Sequence, residues 1–459
     1  MRSIPFRCLM RTWLAVVILL VITALPAFSG GLNIVYEQVV KDSWGNAIGY
    51  RSVNVSSPAA LPAGSAWRNY LNLKLPDGQT IYEYALNTSQ ALSRPMTLTL
   101  SDRDSNSFTS KSSSTYNLNL YNYINSFSSD SSKAFLFLHE FGHVAMLNAY
   151  PSYYSFSGLD YGTDGRHYLD EILPNDNTAW VEGWGNAFAA SKNNGMVFSF
   201  NLNNLSSLAF LKGNTFNEMS RNELFVAKVL YDSFNKIGSG KAKVFNAISR
   251  TGPHSSLLQF CQKYTALYPD DKAALAKILI ENSQGSMTLD QVLLYVNGGS
   301  RTVSRDLYNS LAQAGLVAVT AGTTTSPTKP GSNTTASNTS TTTSTSFWGR
   351  LTSWFGKLFG AGAQSPVAPL PSASVETTGA ATGTVPADGA TAPELPGTIT
   401  NEFNSINDLG RAQEVYYQCF AEYNRLMASS GSSKQQVLEA RNRMLQAKER
   451  VKTLRQTLK

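Results

Sequence analysis

The sequence predicts an α+β protein in which a β-rich part precedes a helical part, followed by disordered linkers and a C-terminal antiparallel helical hairpin. Three observations support this prediction. Between residues 30 and 130, apolar and polar residues alternate in short runs bounded by Asn, Gly and Pro. From about residue 131 to 316, apolar residues recur every three or four positions. After Val319 the chain consists almost entirely of Thr, Ser, Asn and Gly.

Residues 1–29 have the pattern of a secretory signal peptide. Three arginines precede an apolar run from Trp13 to Leu25, and small residues stand where a signal peptidase would cut. The run is short for a membrane span, although an uncleaved anchor is the alternative. We therefore expect a secreted or extracytoplasmic protein, with the cell envelope or periplasm as candidate locations.

Residues 30–319 are expected to form one domain. The predicted strands are GLNIVYEQVV, NAIGYRSVNV, PMTLTLSD and residues 116–120, the last a candidate edge strand. The predicted helices lie near residues 131–149, 178–191, 217–237, 254–267, 270–283 and 303–315.

Residues 320–400 are predicted to be a disordered linker, because a segment rich in Ser, Thr, Pro and Ala buries too little apolar surface to offset the entropy of ordering. Within it, FWGRLTSWFGKLFG at residues 347–360 places its aromatic and leucine side chains on one helical face. This segment is expected either to contact a membrane surface or a partner protein, or to dock back on the domain.

Residues 401–459 are predicted to form the helical hairpin. Apolar residues follow a 3–4 spacing on both sides of the turn ASSGSS, as in an antiparallel coiled coil. Its basic second half is expected to be a solvated face, with contact to an anionic surface or a protein partner as the alternative. Cys419 falls in the predicted seam, so a disulfide with Cys261 is not expected.

The charge of the chain argues against a nucleic-acid partner. The formal net charge is +7. Removing the three arginines of the signal leaves about +4 (7 − 3), which is too weak a field to attract nucleic acid.

The segment FLFLHEFGHVAM contains two of the four histidines in the chain. His139 and His143 are four residues apart, so on a helix they share a face and can bind one ion. Glu140 lies further round the helix, where it can reach a water molecule beside that ion. This is the H-E-x-x-H pattern of a zinc hydrolase, with two ligands and a general base. Two core histidines with a helical glutamate would be the alternative, at a high cost in buried polar groups.

A catalytic zinc needs a third protein ligand and an open fourth position. A third histidine in the extended motif H-E-x-x-H-x-x-G-x-x-H is excluded, because Met146 and Ala149 occupy the Gly and His positions. The remaining candidates are Glu182, and the loop aspartates Asp164 and Asp170.

Glu182 is the favoured candidate. Residues 177–190 predict a helix that begins with Asn177 or Thr178 as its cap. A stripe of small side chains would let this helix approach the first one closely; its members are Ala179, Gly183 and Ala187. A glutamate held beside such a stripe is placed better for a metal than an aspartate in a glycine-containing loop.

HEFGH at residues 139–143, followed by EGWGN at residues 182–186, resembles a zinc metallopeptidase of the gluzincin type over roughly residues 115–235. The resemblance implies a zincin-like fold with one zinc, bound by His139, His143 and Glu182, and Glu140 as the base. Many gluzincins have an aspartate where this chain has Asn186. An amide can hold a ligand histidine by a hydrogen bond, but it adds no negative charge.

Hydrolysis of an amide also needs a donor for the oxyanion. The candidates are His167, Tyr168, Tyr231 and His254. His254 follows Gly252-Pro253 and is expected rather to begin a helix. Glu223 completes the pattern Ser220-x-x-Glu223, so a capping box is the favoured interpretation of that acid.

These observations predict a secreted zinc-dependent peptidase, most simply an endopeptidase acting on peptides or proteins. One alternative is a catalytically inactive zincin-like module that binds at the cell surface through the aromatic segment and the hairpin. The other is a zinc hydrolase that cleaves a non-peptide amide.

Overall fold

The computed structural model describes residues 31–103, 105, 107–162, 167–317, 403–429 and 431–457. The predicted signal peptide, the linker 320–400 and the aromatic segment 347–360 lie outside these residues.

The described residues form an α+β structure in which strands come first and helices follow. The strands are β1 (Leu32–Lys41), β2 (Ala47–Val55), β3 (Met96–Ser101), β4 (Phe108–Lys111), β5 (Tyr116–Tyr121), β6 (Met196–Val197) and β7 (Phe200–Asn201). The helices are α1 (Ala66–Leu71), α2 (Ile81–Ser89), α3 (Asp130–Ala149), α4 (Asp176–Lys192), α5 (Phe216–Met219), α6 (Glu223–Lys236), α7 (Gly240–Thr251), α8 (Leu257–Leu267), α9 (Lys272–Asn282), α10 (Leu289–Asn297), α11 (Arg305–Gln313), α12 (Leu409–Ala428) and α13 (Lys434–Thr457). Short 3-10 turns occupy Pro58–Ala60, Asn122–Ser126, Leu205–Leu211 and Pro269–Asp271.

The strands β1 to β5 form one mixed sheet in the order β2-β1-β3-β5-β4. The three central strands β1, β3 and β5 are parallel, whereas β2 and β4 are antiparallel to their neighbours. The alternation predicted from the sequence sends every second side chain of β3 and β5 into the core. These fully buried side chains are Met96, Leu98, Leu100, Leu118 and Leu120.

The predicted edge strand is an interior strand. β5 pairs with β3 on one side and with the short strand β4 on the other, so β4 is the edge. The sequence prediction missed β4, because its four residues FTSK carry one large apolar side chain and give almost no periodic signal. Residues of this edge strand line the cleft that is described below.

The helix α3 supplies the centre of the fold. Ser129 caps its first turn by accepting a hydrogen bond from the backbone N–H of Ser132. From Ala134 to Asn148 every side chain is buried. The helix is therefore enclosed by the rest of the chain, and its polar side chains must find their partners inside.

The helix α4 crosses α3 closely because both lack a Cβ at the crossing. A Cβ on Gly142 would lie 3.2 Å from the Cα of Gly185 and 3.0 Å from the Cβ of Phe188. The small-residue stripe was predicted to face α3. Its glycine, Gly183, faces α6 instead, since a Cβ there would lie 2.6 Å from Val226. The approach of the two helices thus depends on Gly142 and Gly185, and not on Gly183.

Several predicted helix boundaries were wrong. The cap of α4 is Asn175, whose side chain accepts from the N–H of Thr178. The predicted helix 217–237 is two helices, α5 and α6, and the side chain of Asn222 caps the second. The helices α1, α2, α7 and α10 were not predicted. Of these, α2 carries a capping box at Thr80 and Glu83, a signal that would have located it.

The helices α12 and α13, here called the C-terminal helix pair, pack against each other and against the preceding domain. The Glu414 carboxylate accepts hydrogen bonds from the backbone N–H groups of Ser128 and Ser129 at the entry to α3. Asn424 bonds to the backbone of the 3-10 turn at Ser207 and Phe210. The apolar face of α12 is thus covered by the domain.

A buried ion pair also joins the pair to the domain. Lys448 lies 2.9 Å from an Asp170 oxygen and 2.8 Å from Glu171, and Asp170 accepts a second hydrogen bond from Tyr416. Cys261 is buried and Cys419 is half-buried, and neither forms a disulfide within the described residues.

None of the helices in the described residues is both long enough and apolar enough to cross a membrane.

Replacing Lys448 with Met should destabilise the protein by about 3 kcal/mol, because the largely buried Asp170 carboxylate would lose its cation. Lys452→Met is the matched control, since Lys452 pairs only with the exposed Glu449 and such pairs contribute about 0–1 kcal/mol. Urea unfolding of both variants measures the difference. Equal stability of the two variants would show that the Lys448 pair does not hold the helix pair in place.

Candidate metal centre

The helix α3 directs both motif histidines to one point. His139 and His143 are one turn apart, and their Nε2 atoms are 3.1 Å from each other. The two rings are nearly perpendicular, at 86°. Both side chains are buried, so the two nitrogens meet inside the protein and not at its surface.

The helix α4 brings the third group. One carboxylate oxygen of Glu182 lies 3.2 Å from Nε2 of His139 and 3.6 Å from Nε2 of His143. The other oxygen accepts a hydrogen bond from the hydroxyl of Tyr161 at 2.7 Å. Glu182 is only 4% exposed, so its orientation is fixed by these contacts.

Two neighbours on α4 position the histidines. The Oδ1 of Asn186 lies 2.9 Å from Nδ1 of His139. An amide oxygen only accepts, so Nδ1 carries the proton and Nε2 keeps a free lone pair. Gly185 leaves the space for both rings, because a Cβ there would lie 2.9 Å from ring atoms of His139 and of His143.

The donor set fits a zinc ion. Three atoms that all offer lone pairs, two imidazole nitrogens and a carboxylate oxygen, converge in a buried site. In a tetrahedral zinc site with bonds of about 2.0–2.1 Å, neighbouring ligand atoms are about 3.3 Å apart. The observed separations of 3.1, 3.2 and 3.6 Å match that spacing.

Glu140 points away from these ligands into the same cleft. The hydroxyl of Thr109, on the edge strand β4, donates to Oε2 of Glu140 at 2.8 Å and also contacts its backbone carbonyl. The cleft has a volume of about 330 Å³ and is lined by the candidate ligand residues, Glu140 and residues 107–109 of the edge strand. The base candidate and the ligand set therefore face one space.

His167 joins the site from the loop before α4. Its Nδ1 lies 2.9 Å from a carboxylate oxygen of Glu223, and its Nε2 lies 3.5 Å from Glu182. Tyr161 stacks on its ring at 5.2 Å. The capping box expected for Glu223 is wrong, because Asn222 caps α6 and leaves the Glu223 side chain free to enter the site.

The carboxylates set the protonation of this cluster. Burial by itself would lower the pKa of His167, but Glu223 and Glu182 outweigh it and raise the pKa to about 9. Burial likewise lowers the pKa of His139, but the Glu182 carboxylate outweighs burial, so the pKa is raised. The pKa of Glu182 is well below its usual value, because His167, His139 and His143 outweigh the effect of burial. The site thus holds an ionised glutamate among cationic or metal-binding rings.

Three of the predicted oxyanion donors lie outside the cleft. Tyr168 packs against Tyr416 of the helix pair. Tyr231 donates to Asn203. His254 is enclosed between Tyr150 and Thr251, and burial lowers its pKa to about 3, so it stays neutral.

The aspartate alternatives are not supported at the site. Asp170 is directed to Lys448 and Tyr416 of the helix pair. Asp164 lies outside the described residues.

Sequence reasoning missed several residues of the cleft. Tyr161 and Thr109 gave no signal, because a single tyrosine in a loop and a threonine in a short strand have no periodic context. Tyr417 and Arg455 of the helix pair also line the cleft, although they follow Glu182 by 235 (417 − 182) and 273 (455 − 182) positions in sequence. Such contacts depend on the docking of the pair, which no local pattern reveals.

Comparison with known proteins gives one finding. Residues 86–283 match a family model described as Mycolysin C-terminal domain, and these residues include both α3 and α4. The match covers less than half of the chain. It indicates a zinc metallopeptidase context. Neither the curated proteins nor the solved structures contain a significant match to this chain.

Glu182→Gln should lower zinc affinity by at least about ten- to hundredfold, because the loss of a residue that only hydrogen-bonds a metal ligand already has an effect of that size. Glu223→Gln is the matched control, because Glu223 contacts His167 and not the two motif histidines. A chelating dye in competition measures both affinities. If Glu223→Gln loses zinc to the same extent as Glu182→Gln, the metal is bound by the second cluster of His167, Glu182 and Glu223 instead.

Gly185→Ala should lose zinc without loss of secondary structure, because the new methyl group occupies the space of both imidazoles. Gly49→Ala, where a Cβ meets nothing within 4 Å, is the control. Zinc content after dialysis and circular dichroism provide the readouts. A Gly185→Ala protein with full zinc content would contradict the described packing.

Proposed function

We propose that this protein is a secreted zinc-dependent peptidase that cleaves peptide bonds with Glu140 as general base. The single observation that supports it most is the common cleft, in which the Glu140 carboxylate faces the same space as the converging atoms of His139, His143 and Glu182. The match to the Mycolysin C-terminal domain supports the same class of activity.

In this proposal His139, His143 and Glu182 would hold one zinc ion beside the cleft. The ion would supply Lewis-acid chemistry toward the scissile carbonyl and the attacking water. Asn186 fixes the tautomer of His139, and Tyr161 fixes the second oxygen of Glu182. The chain thus provides a preorganised ligand set on two helices whose crossing is fixed.

Glu140 is the residue that moves the proton. Its carboxylate takes a proton from the attacking water and delivers it to the nitrogen of the leaving amine. Thr109 donates a hydrogen bond to the same carboxylate and keeps it turned toward the cleft. The position of the base therefore depends on the edge strand as well as on α3.

His167 is the candidate that stabilises the oxyanion. The Glu223 carboxylate holds its ring and raises its pKa to about 9, so the ring is protonated at neutral pH. A cationic donor positioned beside the scissile bond stabilises negative charge on the carbonyl oxygen. Tyr168, Tyr231 and His254 have no such access.

In this proposal the backbone of the peptide substrate binds along the edge strand β4. Within the described part of the chain no strand pairs with its outer edge, and residues 107–109 line the cleft. An extended peptide can add to such an edge by main-chain hydrogen bonds, which suits an enzyme that accepts many sequences. This arrangement would place the peptide beside Glu140.

The two alternatives remain outcomes of the test. An inactive binding module would not need a general base that a hydrogen bond holds in place. Glu140 accepts such a hydrogen bond from Thr109. A hydrolase for a non-peptide amide would use the same residues with a different occupant of the edge strand. Export is proposed from residues 1–29 alone.

Glu140→Gln should keep zinc and fold but lower hydrolysis of unfolded casein by about 10²- to 10⁴-fold, because proton transfer is removed. Glu439→Gln, an identical change at an exposed position on α13, should leave the rate unchanged. Thr109→Val should lower the rate by about tenfold, the effect of one hydrogen bond to a charged group. Casein hydrolysis by the Glu140→Gln variant at the wild-type rate would overturn the role of Glu140, and a wild-type protein that holds zinc but hydrolyses no peptide would favour the alternatives.

A further inference from the structure

The C-terminal helix pair forms one wall of the proposed active-site cleft. Gln413 and Tyr417 of α12 and Arg455 of α13 line the same cleft as the candidate ligands. Tyr417 stacks on Phe198 at 4.1 Å, and Phe198 contacts Phe135, one turn before His139 on α3. A continuous row of aromatic rings thus connects the helix pair to the candidate metal centre.

Two nitrogens of the Arg455 guanidinium are buried without an acceptor among the described residues. The residue is 7% exposed, and its Nε and Nη1 atoms are both inaccessible and have no hydrogen-bond partner among the described residues. The ring of Tyr168 lies under the guanidinium at 5.0 Å, which holds its plane but accepts no N–H bond. Buried charges without such bonds are costly, and Arg455 lines the cleft, so an acceptor that enters the cleft would satisfy a guanidinium that the chain itself leaves without one.

No carboxylate of the cleft satisfies Arg455. Glu140 accepts from Thr109, Glu182 contacts the two motif histidines and His167, and Glu223 contacts His167. None of these three forms an ion pair with Arg455 in the described structure. Arg455 is also the only arginine or lysine among the described residues that line the cleft.

We infer that Arg455 is a specificity-determining residue that binds a carboxylate of the peptide substrate. A guanidinium binds a carboxylate through charge-assisted N–H bonds, and Arg455 borders the cleft with two of its nitrogens lacking an acceptor among the described residues. The inference rests on the proposed peptidase function and names its substrate class, a peptide with an acidic group near the scissile bond. It also gives the helix pair a role, since docking of the pair is what brings Arg455 to the cleft.

A peptide carries carboxylates in two places, on Asp or Glu side chains and at its C-terminus. Quenched fluorescent peptides distinguish them. One series moves a single Glu or its neutral counterpart Gln through the positions on both sides of the scissile bond. A second series compares a free C-terminal carboxylate with an amide. The full-length, zinc-loaded protein is assayed with each matched pair.

The wild-type protein should hydrolyse one carboxylate-bearing peptide with a kcat/KM about ten- to hundredfold above its neutral counterpart, the effect expected of hydrogen bonds between charged groups. Arg455→Met should reduce this ratio to about one. The ratio is taken within one variant, so a general loss of activity cancels. Lys452→Met removes one positive charge from the same helix outside the cleft and should keep the wild-type ratio.

Arg455→Lys and a binding assay cover the case in which Arg455→Met does not fold or is inactive. Lysine keeps the charge but not the paired donors, so the preference should fall several-fold. In the Glu140→Gln background, calorimetry should show tighter binding of the carboxylate peptide than of its neutral partner, and Arg455→Met should abolish the difference.

A wild-type protein that cleaves every matched pair equally would overturn the carboxylate inference and leave the peptidase proposal intact. An Arg455→Met variant with an undiminished preference would do the same. A wild-type protein that cleaves none of the peptides would instead overturn the peptidase proposal, while the calorimetric comparison would still report on Arg455.

Discussion

The close crossing of α3 and α4 is the constraint on which the rest of the structure depends. Two glycines, Gly142 and Gly185, remove the side chains that would separate the helices, and the space that Gly185 leaves is filled by the rings of His139 and His143. The crossing brings Glu182 to the two nitrogens and Asn186 to the back of His139. Because both helices are enclosed, packing holds the side chains of His139, His143, Glu182 and Asn186 in place without a bound ligand.

The remaining elements build outward from that crossing. The edge strand β4 lies beside Glu140, and its Thr109 donates the hydrogen bond that fixes the Glu140 carboxylate. The helix α6 approaches α4 at Gly183 and delivers Glu223 to His167. The C-terminal helix pair contacts the entry of α3 through Glu414 and closes one side of the cleft with Tyr417 and Arg455. Ligands, base, candidate oxyanion donor and wall thus come from five separate segments that the fold brings together.

Local sequence patterns predicted the parts of this arrangement that a single helix or strand determines. Residues four apart on a helix share a face, so the convergence of His139 and His143 follows from spacing alone, and alternation located three of the central strands. The parts that depend on tertiary contacts were missed or misread. Ser220 and Glu223 have the spacing of a capping box, yet Asn222 caps the helix, and the acid enters the site. The small-residue stripe on α4 was assigned to the wrong neighbour, because spacing shows a face and not what packs against it. Arg455 lies far from the motif in sequence, so only the docked structure places it in the cleft.

The central claim is that the crossing of α3 and α4 holds a zinc ion between His139, His143 and Glu182. X-ray absorption at the zinc edge of the purified full-length protein, combined with metal analysis, tests this most directly. The account predicts about one zinc per chain, with two imidazole nitrogens and at least one carboxylate oxygen in its first shell. A protein that contains no transition metal and takes none up, or a zinc bound by sulfur, would contradict it.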